Sequence, residues 1–274
     1  MSILKSELDK FNPKAFIDSA TAEIKKYYKE AGAKGIIIGL SGGLDSSVAT
    51  LLCSRAISGR NVHAIYFLDR RTHTSSKMSI INLLTALGKF KLTIIDVTDI
   101  YEKLLMKLPK IKERKAKDVD LRMVRGNFKT RLRMAILYYY SNLYRYLVCG
   151  TSDKSEIILG YFTKWGDIAG DIMPLRSIYK TQVRKVAKKM NIGFVATKPS
   201  SPEFWRGHLA EKELPAPYDL LDPILLGLEK GWPDEKIAED LGIKVNLVRE
   251  TKKFIEKNKH KRMFLKIDFN DLIF

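Results

Sequence analysis

The chain has 274 residues, 45% of them hydrophobic and 29% charged, which is the balance of a globular protein with room for one ample core. No stretch reaches the roughly 20 apolar residues of a membrane span, and the start Met1-Ser2-Ile3-Leu4-Lys5 has no apolar signal region, so a cytoplasmic protein is expected. Lys and Arg outnumber Asp and Glu by 49 to 31, a net charge of +18 that suits polyanions; it is spread along the chain with no RNA-module signature, which favours phosphate-rich small substrates over nucleic acid.

In chain order, Asn12-Pro13 reads as the cap and first turn of a helix whose apolar positions Phe16, Ile17, Ala20 and Ile24 keep a helical period. Ile36-Ile37-Ile38 is a β-branched run of the kind that forms a strand buried on both faces, and Val48-Ala49-Thr50-Leu51-Leu52 opens the next helical pattern. Between them lies Gly39-Leu40-Ser41-Gly42-Gly43-Leu44-Asp45-Ser46-Ser47. A glycine-rich turn at a helix N-terminus presents free N–H groups and the positive end of the helix dipole, so it suits phosphate. A Walker A loop would follow its glycines with Lys and then Ser or Thr; here Leu44-Asp45 follows, and the ordinary ATPase reading fails. A carboxylate beside phosphates is repulsive unless a cation lies between them, so Asp45 predicts Mg²⁺.

Residues 62–68 and 92–97 read as the second and third strands, and 76–87 and 99–108 as helices. Strands alternating with helices predict an α/β fold, a doubly wound parallel sheet with helices on both faces and ligands at the carboxyl ends of the strands. The basic run 109–120 reads as a surface loop, and 121–146 as a long helix rich in tyrosine, whose apolar residues on more than one side point to burial against a second subunit. A fourth strand is expected at 147–150, a helix at 174–190, a long loop at 197–218 that suits an active-site lid, and short helices from 219 onward. The whole, 1–274, reads as one domain with 219–274 as its helical C-terminal extension. Cys53 and Cys149, the only cysteines, have no metal-binding spacing and read as buried, inert thiols.

After the fourth strand comes a passage dense in polar groups, Gly150-Thr151-Ser152-Asp153-Lys154-Ser155-Glu156. A metal ion held by Asp45 requires further oxygens, and Glu156 is a carboxylate in the right kind of place. Lys180 and Arg184, one helical turn apart, put two cations on one face.

The SGGLDSS run resembles the signature of the ATP pyrophosphatases, which cleave ATP between its α and β phosphates. Together with GNFKTRLRM from Gly126, GTSDKSE from Gly150, GYFTKWGD from Gly160, then DIMPL, YKTQV, KPSS and HKR, the chain resembles the ammonia-dependent NAD⁺ synthetases over nearly its whole length. The resemblance implies an adenine nucleotide alpha hydrolase-like fold and a C–N bond-forming ligase. In that reaction the nicotinate carboxylate of deamido-NAD⁺ attacks the α-phosphorus of ATP, pyrophosphate leaves, and ammonia converts the mixed anhydride to NAD⁺ and AMP. It further implies that Gly39, Leu40, Ser41, Gly42, Gly43, Leu44, Asp45 and Ser46, with Thr151, Lys180 and Ser200, bind ATP. Asp45 and Glu156 would hold Mg²⁺, and Arg131, Lys164, Asp171, His260 and Lys261 would bind deamido-NAD⁺. Asp45, Lys180 and Asp167 would be the catalytic groups, Asp167 or Asp171 attracting ammonium and accepting its proton. The family's site draws on both subunits of a homodimer, which suits the tyrosine-rich helix.

The chain departs from the family's pattern where Gln-Thr-Asp-Glu in the lid becomes His208-Leu209-Ala210-Glu211, where paired glycines become Ile168-Ala169, and in the basic run 70–77. The segment ahead of the loop leaves no room for a glutaminase domain, so free ammonia, or ammonia from a separate partner, is the expected nitrogen source. The alternatives are an RNA-modifying ATP pyrophosphatase and a nucleotide-binding module without activity.

Overall fold

The structure, a computed structural model, describes residues 2–70, 90–109, 120–197, 201–202, 204–205 and 207–263. The predicted helix at 76–87, nearly all of the basic runs at 70–77 and 109–120, and Ser200 lie outside the described residues.

Four parallel strands, β1 (Gly35–Gly39), β2 (Val62–Leu68), β3 (Lys91–Asp96) and β4 (Tyr146–Cys149), form one sheet in the order β3-β2-β1-β4. Ile36 pairs with Val62 on one side and Leu147 on the other, so β1 is interior, and Ile36, Ile37 and Ile38 are all fully buried. Alternation along the strand sends Ile36 and Ile38 to one face and Ile37 to the other. The first face packs on α2 (Pro13–Glu30), α3 (Leu44–Ile57) and α7 (Lys180–Lys189) through Ile17, Ile24, Val48, Leu52, Val183 and Val186. The second packs on α5 (Leu121–Tyr144) through Met134 and Leu137, giving the predicted layered sandwich.

The chain builds β1, β2 and β3 outward in one direction and then returns to place β4 on the far side of β1. That reversal leaves a crevice beyond the carboxyl ends of β1 and β4, the place where open α/β sheets bind ligands. The glycine loop leaves β1 there, and the Gly150 to Glu156 passage leaves β4 beside it, opening α6 (Lys154–Leu159).

Local chemistry explains the boundaries. Asn12 Oδ1 accepts from the Lys14 and Ala15 N–H groups and Pro13 opens α2, as predicted. α5 ends two residues earlier than expected because Arg145 takes a left-handed φ of 56° and turns the chain into β4. The expected helix at 174–190 starts only at Lys180. Residues 174–179 form turns closed by Arg176 N–H to Met173 and Ile178 N–H to Leu175, burying Leu175, Ile178 and Tyr179 at a helix-like spacing without a helix. Tyr179 is extended and its N–H donates to Gln182 Oε1 at 3.0 Å, which starts α7 one residue later and puts Lys180 in its first position.

From residue 218 the expected short helices are α8 (Tyr218–Glu229), α9 (Asp234–Leu241) and α10 (Val245–Lys257). They close around α1 (Ile3–Asp9), whose Leu4 packs with Ile224, Ile237 and Val248, and whose first N–H groups donate to Asp240. α4 (Thr98–Lys107) follows β3. No described helix is long and apolar enough to cross a membrane. Cys53 and Cys149 are buried free thiols with their sulfurs 3.7 Å apart, in keeping with the inert role expected.

Candidate active site

The crevice is a cavity of about 530 Å³ whose floor is the glycine loop from Gly39 to Ser46 and whose walls include Thr151, Glu156, Asp167 and Lys261. The loop ties itself down: Ser41 Oγ accepts from the Gly43 N–H at 3.2 Å, and the Ser47 hydroxyl donates to the Gly43 carbonyl at 2.6 Å. Gly42 sits at φ 79°, a conformation that favours glycine. The N-cap Gly43 has no side chain to occupy the first N–H groups of α3, which leaves that helix end for an anion.

At the back of the cavity lies a buried cluster. The Lys180 ammonium, 0% exposed, is 2.8 Å from Asp45 Oδ2, 2.9 Å from Glu156 Oε1 and 3.0 Å from Asp153 Oδ2. Burial alone would lower the pKa of such an amine, yet Asp153, Asp45 and Glu156 hold it well above the ordinary value. The carboxylates respond in the opposite direction. Burial, with repulsion from Asp45, pushes Asp153 up to about 7 against the pull of Lys180, and burial likewise carries Glu156 well above the usual range. Three carboxyl groups thus converge on one ammonium, and Asp45 Oδ1 is buried with no hydrogen-bond partner. A hard cation with oxygen ligands fits that donor set.

Beside this cluster, Asp167 accepts from the Thr163 N–H at 2.8 Å, and burial pushes it up to about 6. Lys261 reaches from the end of the chain to the Gly160 and Phe162 carbonyls at 2.9 and 3.2 Å. His208, which also lines the cavity, is buried and stacks on Trp205 at 3.6 Å between centroids, its Nε2 2.9 Å from Glu213, which in turn accepts from the Tyr161 hydroxyl at 2.8 Å.

A family model described as NAD synthase matches residues 16–264. The chain belongs to the NAD synthase family. Its relatives include the NH₃-dependent NAD⁺ synthetase of Methanocaldococcus jannaschii, 38% identical over 90% of this chain and 93% of that one. That of Pyrobaculum aerophilum is 37% identical over 88% and 87%. Among solved structures, the NMN synthetase of Francisella tularensis superposes with a TM-score of 0.78 at 25% identity, covering 94% of this chain and 99% of that one. The NH₃-dependent NAD synthetase of Campylobacter jejuni, in complex with the nitrate ion, gives 0.73 at 26% over the same shares.

For a member of the NAD synthase family, the folded chain gathers some of the sequence-predicted residues and disperses others. Asp45, Glu156 and Lys180 come together, and the glycine loop, Thr151, Asp167 and Lys261 face the cavity. Arg131, Lys164 and His260 do not line it; they form a chain of contacts at its outer rim, Arg131 Nε donating to the Lys164 carbonyl at 3.0 Å and Lys164 Nζ to the His260 carbonyl at 2.9 Å. Asp171 is exposed at the edge of β4, where it accepts from the Val148 N–H at 2.7 Å and from the Tyr138 hydroxyl at 3.1 Å. The pairing of Lys180 with Arg184 dissolves, since Arg184 turns to Asp219 at 3.0 Å. Sequence reasoning did not single out Asp153, although its spacing of three residues from Glu156 is that of a capping box, which the structure forms. Nor did it find the Tyr161, Glu213 and His208 wall, for which the sequence carries no local signal.

Proposed function

We propose that the chain catalyses the ATP-dependent amidation of deamido-NAD⁺ with ammonia, forming NAD⁺, AMP and pyrophosphate. The observation that carries this reading is the buried Lys180 held against Asp45 and Glu156 at the carboxyl ends of β1 and β4, directly behind a phosphate loop. The loop N–H groups and the dipole of α3 hold the triphosphate, which leaves its α-phosphorus toward the cavity. The nicotinate carboxylate attacks that phosphorus, and the Lys180 ammonium meets the charge that develops as pyrophosphate departs.

Asp45 and Glu156 would hold Mg²⁺. Among the described residues no group of three or more His, Cys, Asp or Glu is arranged to hold a metal alone, so two carboxylates with phosphate oxygens and water is the mode that fits, and it is the usual one for this ion. Bound there, the ion supplies further charge neutralisation at the phosphates.

Arg131, Lys164, His260 and Lys261 suit the anionic dinucleotide at the rim. Asp171 joins that set through its exposed carboxylate. Asp167, brought nearer neutrality by burial, is the better placed of the two to take a proton from the attacking nitrogen. Ser200 belongs with the ATP-binding set on the resemblance of its motif. The chain reads as a single domain, and its cytoplasmic placement follows from a reaction that draws on ATP.

A homodimer is supported by α5. Leu121 and Tyr139 are 18 residues apart, five full turns, and with Leu143 they form one stripe on which Tyr139 is 64% and Leu143 57% exposed. Tyr139→Arg with Leu143→Arg is expected to yield a monomer by sedimentation; a variant that sediments like the wild type counts against this interface.

The deciding assay incubates the purified chain with ATP, Mg²⁺, ammonium and either deamido-NAD⁺, nicotinate mononucleotide or tRNA. Equal yields of NAD⁺, AMP and pyrophosphate with deamido-NAD⁺ are expected. A strong preference for the mononucleotide would align the chain with the Francisella enzyme, pyrophosphate release only with tRNA would favour an RNA-modifying enzyme, and no release at all a binding module.

A further inference from the structure

Asp222, on α8, is fully buried and does not line the cavity. Its Oδ1 accepts from the Ser155 hydroxyl at 2.6 Å and its Oδ2 from the Thr181 N–H at 2.7 Å. The same Ser155 oxygen accepts from the Lys180 N–H at 2.9 Å. Two successive N–H groups at the head of α7, which have no partner within their own helix, are therefore satisfied by one carboxylate from α8, one directly and one through Ser155. Ser155 also precedes Glu156 in the first turn of α6.

We propose that Asp222 is a positioning residue for the reaction, fixing where Lys180 and Glu156 stand relative to each other. The inference rests on the role given above to Lys180. Three helices meet at this carboxylate, which braces from the α8 side the Ser155 to Lys180 contact between the two helices that carry charged groups into the site. Both of its oxygens are engaged by donors, so a neutral amide of the same shape satisfies only one of them.

The test compares steady-state kinetics and melting temperatures of the wild type, Asp222→Asn, Ser155→Ala and the double variant, with ATP, Mg²⁺, deamido-NAD⁺ and ammonium. A displacement of catalytic groups by a fraction of an ångström to an ångström is expected to lower kcat by about 10- to 100-fold in each single variant, with KM for both substrates little changed. The double variant is expected to be no slower than the worse single one, because both changes act on one connection. Wild-type kcat in either folded variant overturns the proposal, as does a rise in both KM values with kcat preserved, which marks a general loosening of the fold. Losses that multiply in the double variant overturn it as well. If Asp222→Asn does not fold, Ser155→Ala decides, since it severs the link to Lys180 while leaving the bond to Thr181. An inactive wild type removes the functional reading and this inference together; an active wild type with equally active variants removes this inference alone.

Discussion

Replacing Lys180 with Met tests whether the cluster is held by charge. Met keeps the apolar length of the stem and removes the ammonium, so packing changes little while Asp45, Asp153 and Glu156 lose the cation within 3.0 Å of each. Removing one partner from a buried ion pair typically costs about 3–5 kcal/mol, a large share of the 5–15 kcal/mol that holds a domain folded. For a chain of this size that is a fall in Tm of roughly 10 °C near pH 7.5.

The pH dependence separates charge from packing. Asp153 is raised to about 7, and Glu156 is raised too, so the folded state holds their protons more tightly than the unfolded chain does. Stability from such groups is present at low pH and is lost as pH rises through the folded pKa. Without Lys180 both carboxylates rise further. The Tm deficit of the variant is therefore largest above pH 7 and narrows toward pH 5.5, where the carboxylates take up protons instead of repelling one another. Mg²⁺ at millimolar concentration is expected to raise the Tm of the variant more than that of the wild type, because the vacated charge favours a cation. Differential scanning calorimetry from pH 5.5 to 8.5 measures all of this, and a deficit that does not vary with pH would refute the electrostatic account.

Gly126→Ala places a methyl group against the Phe204 ring, which packs on α5 at this point. The added methyl carbon overlaps Phe204 Cδ2, Cγ and Cβ, so Phe204 must shift as a whole. The gain of about 1 kcal/mol in helix propensity is outweighed by overpacking that costs about 1–3 kcal/mol, so Tm is expected to fall by a few degrees and KM for ATP to rise; an unchanged KM would show that this packing does not shape the cavity. His63, with Nε2 2.8 Å from the Thr93 hydroxyl, has its pKa lowered below 6.5 by burial and by Lys91. The stability it contributes is complete above 6.5 and is lost as pH falls through its folded value, so the Tm of His63→Gln should fall less steeply than that of the wild type between pH 7 and 5. Asp167, raised from 3.8 to about 6, loses its contribution as pH rises through 6, and its charge costs up to about 3 kcal/mol above that. Asp167→Asn is therefore expected to be more stable than the wild type at pH 7.5 and slower in turnover; a less stable variant would contradict the cost assigned to burial.

What the sequence conveys about this fold is whatever depends on neighbours along the chain. The Ile36 to Ile38 run announces an interior strand, Asn12-Pro13 a helix start, and the glycine loop a turn from strand to helix, and each forms where expected. The stretch from Pro174 to Tyr179 misleads because Leu175 and Ile178 are buried by turns at the spacing a helix would give. Pairings across distance are silent. Lys180 and Asp45 are 135 positions apart, and Arg184 abandons its helical neighbour for Asp219, 35 positions on. Asp222 carries no motif at all, and its importance is visible only once Ser155 and Thr181 stand against it.

The cluster also contains a conflict that local rules cannot resolve. Asp45 stands in the first turn of α3 and Glu156 in the first turn of α6, where the positive end of a helix favours a carboxylate. Lys180 occupies the first position of α7, where the same field opposes an ammonium. A lysine is therefore kept at a buried helix start against both burial and dipole, and the converging carboxylates, with the Tyr218 ring 5.3 Å from the ammonium, offset the two. Such disagreements between local preference and global structure concentrate at functional sites. Parallel topology makes this one possible, because β1 and β4, adjacent in the sheet, deliver two helix N-termini with their acidic residues to the same crevice. The negative charge they bring is what keeps a buried lysine in its charged form.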